Sequence, residues 1–243
     1  MRLDKFLANE NIGSRKEVGV LVRHGGVTVN GQAVKKADMQ IDPEKDEICV
    51  NGTPVRYNKY IYLLMNKPAG ILTATRDSRA KTVLDLVPEE LRRKDLFPAG
   101  RLDKDTTGLL IITDDGDFAH RMLAPKSHVM KRYEAELDLP AEQADIERFL
   151  EGIESGEDHF APAKLEISEE DPHTAWVEIR EGKFHQVKRM FKACGKTVVK
   201  LRRLSIGALV LEDTLPFGEV RVLDPKEAGL VFKPAQNSPK HNI

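Results

Sequence analysis

The strongest constraint on the fold comes from residues 97–116 (FPAGRLDKDTTGLLIITDDG), where a charged loop leads directly into an apolar run. The run at 109–112 is short and continuous, which is typical of a strand buried on both faces. The loop ahead of it carries Arg101, Asp103 and Asp105 between two glycines. A short loop that is anchored to a core strand holds charged groups rigidly and leaves them accessible to other molecules.

Asp103 is the candidate reactive group of this loop. Its neighbour Arg101 favours the ionised carboxylate, so Asp103 is available as a nucleophile or as a base. A loop salt bridge without a catalytic role explains the same residues. A phosphatase-like DxDxT pattern is a third interpretation, but no apolar strand precedes Asp103. The acidic residues at 114–117 are better explained by a turn and a helix cap than by magnesium binding.

Charge is unevenly distributed along the chain. The 243 residues carry a net charge of −1, yet residues 183–203 contain eight basic side chains and no acidic one. Residues 142–171 contain eleven acidic side chains and two basic ones. Such segregation predicts a positive surface that binds phosphates in spite of the overall balance. The acidic stretch is expected to face away from a nucleic acid.

Residues 1–57 are predicted to form a small domain. Leu3, Phe6 and Leu7 have helical spacing, and residues 14–17 form a capping box that begins a second helix. The Asn-Gly pair at 30–31 is a strong hairpin signal between two short strands. Seven basic against three acidic residues in positions 1–36 favour binding over catalysis for so small a unit.

Three segments of this region carry a resemblance: RLDKF at 2–6, the Ser-Arg pair at 14–15, and GVTVNG at 26–31. They resemble the small RNA-binding domain named after the fourth protein of the small ribosomal subunit. A basic dimerisation or packing module is the alternative. The resemblance implies RNA contacts by five basic residues, namely Arg2, Lys5, Arg15, Lys16 and Arg23.

Residues 58–243 are predicted to form a second, α+β domain. Many strands with interspersed helices and no regular βαβ rhythm indicate a mixed, largely antiparallel sheet flanked by helices. The spacing of Phe184, Val187, Phe191 and Cys194 predicts one buried helix face over residues 184–193. Apolar runs of about six residues are too short to span a membrane. The polar residues 234–243 are predicted to fray.

Several segments of this second domain resemble the pseudouridine synthases. GRLDKDTTGLL at 100–110 resembles their signature, NKPAG at 66–70 their upstream turn, and KRY at 131–133 and EGKFHQVKRMF at 181–191 their later segments. The resemblance implies isomerisation of uridine to pseudouridine in RNA, with Asp103 as the catalytic residue. This reaction requires no redox step, metal or group donor, so we expect no cofactor.

The resemblance also implies roles for further residues. Arg101 is expected to hold the flipped or a neighbouring nucleotide, Tyr133 to stack on the target base, and Leu201 to form an apolar wall of the uracil pocket. Lys188 stands where many relatives have Arg, and it is expected to pair with Asp103 without bidentate geometry. Arg189, Lys192 and Arg202 are expected to bind RNA phosphates. His120 and His185 are interpreted as structural residues or RNA contacts.

Within this family, the N-terminal domain and the segments at 105–108 and 124–126 are most similar to the members that modify 16S RNA of the small subunit. The expected partner is therefore ribosomal RNA or a partly assembled small subunit, met in the cytoplasm by a monomeric enzyme that does not bind membranes. A 23S-directed enzyme of the same family and a non-catalytic RNA-binding assembly factor are the alternatives.

Overall fold

The computed structural model describes residues 1–10, 12–55 and 57–235. They form two compact units: residues 1–60 together with 88–94, and residues 61–87 together with the chain from 95 onward. That residues 88–94 belong to the first unit was not anticipated. The domain boundary after residue 57 stays a prediction. The structure does not describe residues 236–243. Most of the segment predicted to fray, residues 234–243, therefore lies outside the described residues.

The first unit combines two short helices with a small antiparallel sheet. Ser14 accepts a hydrogen bond from the Glu17 amide (3.3 Å), and the Ser14 amide donates to the Glu17 carboxylate (2.7 Å), which confirms the capping box. The elements are α1 (Leu3–Asn9), α2 (Arg15–Arg23), β1 (Val27–Val29), β2 (Gln32–Ala33), β3 (Ile48–Val50) and β4 (Thr53–Pro54). The strand order is β2-β1-β3-β4.

A single apolar cluster holds the first unit together. Helix α1 contributes Leu3, Phe6 and Leu7, all at most 1% exposed, so the predicted helical stripe is the core face of that helix. The hairpin between β1 and β2 turns at Asn30 and Gly31, both with positive φ (51° and 76°), as a tight turn of this kind requires.

The second unit is built on one large sheet. Its helices are α3 (Gly116–Leu123), α4 (Gln143–Glu151), α5 (Gln186–Ala193) and α6 (Pro225–Ala228). Its strands are β5 (Tyr62–Lys67), β6 (Phe97–Ala99), β7 (Thr107–Thr113), β8 (Lys131–Leu137), β9 (Ile153–Ser155), β10 (Asp158–Phe160), β11 (Lys164–Ile167), β12 (Thr174–Ile179), β13 (Val198–Ile206), β14 (Leu209–Val210) and β15 (Val220–Leu223).

Along this sheet the described strands follow the order β11-β12-β8-β13-β7-β5-β15, with β14 paired to β13 and β6 paired to β7. Strand β7 pairs in parallel with β13, and the other pairs recorded in this sheet are antiparallel. Strands β9 and β10 form a separate hairpin. The predicted α+β class and the mixed, largely antiparallel sheet are therefore confirmed.

Strand β7, predicted from its apolar run, is an interior strand of this sheet. Its residues 108–113 are all buried, with β13 on one side and β5 on the other. One face of β7 packs against α3 and the chain after β15, through Ile111, Phe118, Met122 and Val231. No helix among the described residues is long and apolar enough to cross a membrane.

The prediction for the start of helix α5 was wrong. The helix begins at Gln186 rather than at residue 184, because His185 has a left-handed backbone (φ 51°, ψ 32°) that cannot continue a right-handed helix. Val187 and Phe191 occupy the core as expected, whereas Phe184 is 75% exposed. Periodicity correctly identified the helix and misplaced its first turn.

Gly108 lets two central strands approach closely, and its substitution is expected to destabilise the second unit. It has φ +100°, and a Cβ atom there would lie 2.3 Å from the carbonyl oxygen of Arg203 on β13. Gly108→Ala therefore combines a strained backbone with a clash against backbone, and should lower the free energy of unfolding by about 2–3 kcal/mol. Chemical denaturation measures this; Gly182→Ala, which meets nothing within 4 Å, is the control.

Candidate active site

A buried lysine, Lys67, binds the backbone of the loop that carries Asp103. The loop connects β6 to β7. Lys67, at the end of β5, is 0% exposed, and its ammonium, which has three N–H groups to donate, lies within hydrogen-bond distance of four backbone carbonyls, those of Pro68 (3.0 Å), Asp103 (3.1 Å), Lys104 (3.2 Å) and Thr106 (2.9 Å). Burial lowers the pKa of Lys67 to about 8. The amine is thus still mainly protonated at pH 7.

Two further contacts fix the same loop. The Thr73 hydroxyl donates to the carbonyl of Leu102 (2.8 Å) and lies 3.3 Å from the Leu102 amide, which donates to it. The Gly70 amide donates to the carbonyl of Lys104 (2.8 Å). The turn after β5 therefore anchors the backbone on both sides of Asp103, and the carboxylate is presented by a rigid segment.

The Asp103 carboxylate lies close to two side chains at the beginning of helix α5. The Lys188 ammonium lies 3.3 Å from Oδ2 of Asp103, and Nε2 of His185 lies 3.4 Å from Oδ1. The Asp103 side chain is 26% exposed, so it is neither buried nor fully hydrated. The predicted pair between Asp103 and Lys188 is thus close in space, and His185 is a third member that the sequence did not reveal.

Lys188 is shared between two carboxylates. Its ammonium makes a shorter hydrogen bond, 2.6 Å, to Oδ1 of Asp105 than its 3.3 Å contact with Asp103. This hydrogen bond lowers the pKa of Asp105. Asp105 is the more exposed of the two carboxylates, at 73% of its side chain. Asp105 therefore neutralises part of the lysine's charge, and Asp103 stays accessible beside a cation.

The neighbouring Arg189 points elsewhere, as expected for adjacent residues of a helix. Its guanidinium pairs with Asp158 (2.6 Å), donates to the carbonyl of Ser155 (2.8 Å) and lies 4.9 Å from the centre of the Phe160 ring. In this structure Arg189 fastens helix α5 to the β9–β10 hairpin. An RNA phosphate would have to compete with these contacts.

Tyr133 and Leu201 lie on one face of the sheet. Tyr133 on β8 is directly opposite Arg203 on β13, and Leu201 is opposite Ala135, so these side chains share a surface. Tyr133 is 8% and Leu201 6% exposed. Arg202 is on the opposite face, where it lies near Asp213 (3.9 Å) and the ring of Phe217 (5.6 Å).

Two buried cations flank Tyr133 on that face. Arg203 is 4% exposed and donates from Nε to the carbonyl of Leu109 (2.7 Å), while its Nη2 has no hydrogen-bond partner among the described residues. Lys131 is 8% exposed, and burial together with the charge of Arg203 lowers its pKa to about 8. This face is therefore positively charged as well as apolar.

The remaining predicted contacts are solvent-exposed. In the part of the chain that the structure describes, no hydrogen bond or ion pair engages the side chain of Arg101, which leaves it available beside Asp103. Arg2 makes a bidentate hydrogen-bonded contact with the carboxylate of Asp4 (3.0 and 2.8 Å). The other basic residues predicted to bind RNA are exposed on α1, α2 and α5: Lys5, Arg15, Lys16, Arg23 and Lys192.

The acidic residues after β7 are structural, as predicted. Asp115 caps helix α3 by accepting from the Phe118 amide (3.0 Å) and also accepts from the Tyr62 hydroxyl (2.6 Å). Asp114 accepts from the Ile61 amide (2.8 Å). Within residues 1–10, 12–55 and 57–235, no group of three or more His, Cys, Asp or Glu side chains is placed to hold a metal ion.

Chemically, the site offers an accessible carboxylate between a lysine and a histidine, on a loop that cannot easily move. Such a carboxylate can attack an electrophilic carbon or accept a proton. Sequence reasoning had assigned no role to Lys67 and had not placed Lys131 or Arg203 in the site, and it had interpreted His185 as a structural residue or an RNA contact. The sequence carried no local signal for Lys67, because three of the carbonyls around its ammonium come from the loop that lies about 36 residues later in the chain.

Comparison with known proteins agrees with this arrangement. A sequence profile described as RNA pseudouridylate synthase matches residues 61–193, and a profile of the S4 domain matches residues 1–48. The chain is 47% identical to an uncharacterised RNA pseudouridine synthase of Bacillus subtilis (strain 168), over 96% of this chain and 99% of that protein. It is 39% identical to ribosomal small subunit pseudouridine synthase A of Escherichia coli (strain K12), over 95% and 100%.

A solved structure extends the likeness to three dimensions. The crystal structure of a pseudouridylate synthase superimposes with a TM-score of 0.66 and 38% identity, covering 95% of this chain and 99% of that one. The matched profile includes β5, the Asp103 loop, Tyr133 and the whole of helix α5. A carboxylate loop, a cationic sheet face and an N-terminal S4 domain thus occur together in a chain that belongs to the RNA pseudouridylate synthase family.

Proposed function

We propose that this protein converts one uridine of 16S ribosomal RNA in the small subunit to pseudouridine, with Asp103 as the catalytic carboxylate. The observation that carries the proposal is the position of Asp103, accessible on a clamped loop and 3.3 Å from the Lys188 ammonium. The choice of 16S RNA rests on relatives named ribosomal small subunit pseudouridine synthase A, which match over nearly the full length of both chains.

The reaction is an isomerisation with a balanced set of bonds. The bond between N1 of uracil and C1′ of ribose breaks, the base rotates, and a bond from C5 to C1′ forms. C5 then loses a proton, and N1 gains one. Asp103 serves either as the nucleophile at C1′ or as the base that removes a proton from the sugar. Both routes require an ionised carboxylate, and the Lys188 ammonium lies 3.3 Å from it.

The uridine must leave its helix before Asp103 can reach it, at a cost of a few kcal/mol. In the proposal, Arg101 holds the flipped or a neighbouring nucleotide. Tyr133 stacks on the uracil, and Leu201 forms an apolar wall of its pocket, consistent with their common sheet face. Loops and distorted helices of ribosomal RNA are suitable substrates, because a base is cheaply extruded there.

Residues 1–57 act in this proposal as the RNA-binding domain, and residues 58–243 as the catalytic domain. Phosphate contacts by Arg2, Lys5, Arg15, Lys16 and Arg23, and by Arg189, Lys192 and Arg202 in the catalytic domain, set the register on the RNA without reading its sequence. The enzyme works as a monomer in the cytoplasm, on ribosomal RNA or a partly assembled small subunit, and without a cofactor.

Mapping of pseudouridines in ribosomal RNA from cells with and without this gene tests the proposal. We expect one 16S site to disappear in the deletion strain and to return when the wild-type gene is supplied. If only a 23S site were lost, the substrate would be the RNA of the large subunit rather than that of the small subunit. An unchanged map, together with no product on any ribosomal transcript in vitro, would favour the non-catalytic assembly factor.

A further inference from the structure

Phe184 is a large apolar side chain that the fold leaves uncovered beside the candidate active site. It is 75% exposed, the most exposed of the large hydrophobic side chains recorded in the described residues. Single exposed apolar residues are common on protein surfaces, so exposure alone indicates nothing. The surroundings of Phe184 distinguish it from the others.

Its ring is held in a fixed orientation. The Phe184 and His185 rings are stacked nearly in parallel, with centroids 3.8 Å apart and an interplanar angle of 18°. The backbone of His185 is left-handed, a conformation that is unfavourable for a non-glycine residue. An unfavourable backbone that is retained next to reactive groups suggests a functional role.

The stack ends at the catalytic loop. Nε2 of His185 lies 3.4 Å from Oδ1 of Asp103, so the imidazole ring that stacks on Phe184 also contacts the carboxylate. One face of Phe184 is covered by His185, and most of the rest of the ring is open to solvent. A planar group placed against that open face would extend the stack and lie close to a nucleotide positioned over Asp103.

The charges around Phe184 favour a base over a phosphate as the group bound there. The Lys183 ammonium donates to the carbonyl of His159 (2.5 Å) and lies 3.6 Å from Glu181. The Lys188 ammonium is engaged by Asp103 and Asp105. Both cations already have acidic or carbonyl partners, so the free surface is aromatic. Every nucleobase has a π-face that can stack on such a ring, so this contact does not depend on which base is present.

We propose that Phe184, supported by His185, is a stacking platform for the unpaired RNA base next to the flipped uridine. The inference rests on the proposed function, because the neighbouring base is defined by the uridine over Asp103. Phe184 touches no reacting atom in this proposal. It binds the flanking nucleotide, and it favours a target uridine whose neighbour is also unstacked.

Steady-state kinetics on unmodified 16S transcript test the platform. Removal of one base-stacking ring weakens binding by about 5- to 150-fold, so Phe184→Ala should raise KM by that factor and leave kcat within about threefold. Phe184→Trp should retain the wild-type KM, whereas Phe184→Leu, apolar but not aromatic, should behave like the alanine variant. Leu150→Ala, at an apolar side chain of α4 that is 57% exposed, is the matched control and should match wild type.

The outcomes separate the two proposals. An unchanged KM for Phe184→Ala, or a wild-type KM for Phe184→Leu, overturns the platform while the enzyme remains active. A fall in kcat with an unchanged KM also overturns it, because Phe184 would then act only by orienting His185 against Asp103. If the wild-type protein forms no pseudouridine on 16S or 23S transcript, the proposed function itself fails.

Discussion

Replacing Asp103 with asparagine is expected to reduce pseudouridine formation by at least about 10⁴-fold, since loss of a catalytic nucleophile or base has effects of this order. The amide has nearly the same shape as the carboxylate but neither attacks C1′ nor accepts a proton. The Asp103 side chain is 26% exposed and holds no core element, so the fold and the affinity for RNA should remain nearly unchanged. Tritium release from labelled 16S transcript and filter binding measure the two properties.

Asp105→Asn is the matched control for this experiment. Both carboxylates contact the same Lys188 ammonium, at 3.3 Å for Asp103 and 2.6 Å for Asp105. If Asp105 only shares the lysine's charge, its amide variant should keep activity within about tenfold of wild type. Equal losses in the two variants, or appreciable turnover by Asp103→Asn, would show that the catalytic carboxylate has been assigned wrongly.

The elements that sequence reasoning located were those whose cause is local. The capping box at 14–17, the Asn-Gly hairpin and the apolar run of β7 each determine a structure through residues that are close along the chain. The family signature around Asp103 likewise contains its own loop and strand. These features required no knowledge of the sheet order.

The features that were missed depend on long-range contacts or on one backbone angle. Phe184 has the correct spacing for the core face of α5, and only the left-handed His185 excludes it. Lys67 looks like the polar end of a strand until the Asp103 loop, about 36 residues later, places carbonyls around it. The membership of residues 88–94 in the first unit is equally invisible to local periodicity.

The second large effect is expected at Lys67. This residue is fully buried and so would not contact the substrate directly. Lys67→Met keeps the length of the side chain and removes its hydrogen bonds. The carbonyls of Asp103 and Lys104 retain donors from the Thr106 and Gly70 amides, but no other donor is recorded in the described residues for those of Pro68 and Thr106. An acceptor left unpaired costs about 1–3 kcal/mol, so the two unpaired carbonyls should lower the free energy of unfolding by about 2–6 kcal/mol.

Activity should fall together with stability in this variant, because the anchored loop is what positions Asp103. A displacement of about 1 Å of a catalytic group lowers turnover on the order of 10²-fold. Chemical denaturation at pH 7, where Lys67 is mainly protonated, measures the first effect, and turnover below the denaturation midpoint measures the second. Lys104→Met changes an exposed lysine of the same loop and should alter stability by less than about 0.5 kcal/mol.

The two readouts together distinguish a support for the active site from a general stabiliser. If Lys67→Met lost stability but turned over 16S transcript at the wild-type rate, the loop would keep its geometry without the lysine, and the clamp would have no catalytic consequence. If instead turnover fell in Lys67→Met while KM stayed constant, the loss would lie in the placement of Asp103 rather than in RNA binding. The second pattern is expected, because all four carbonyls belong to the turn after β5 or to the loop that carries Asp103.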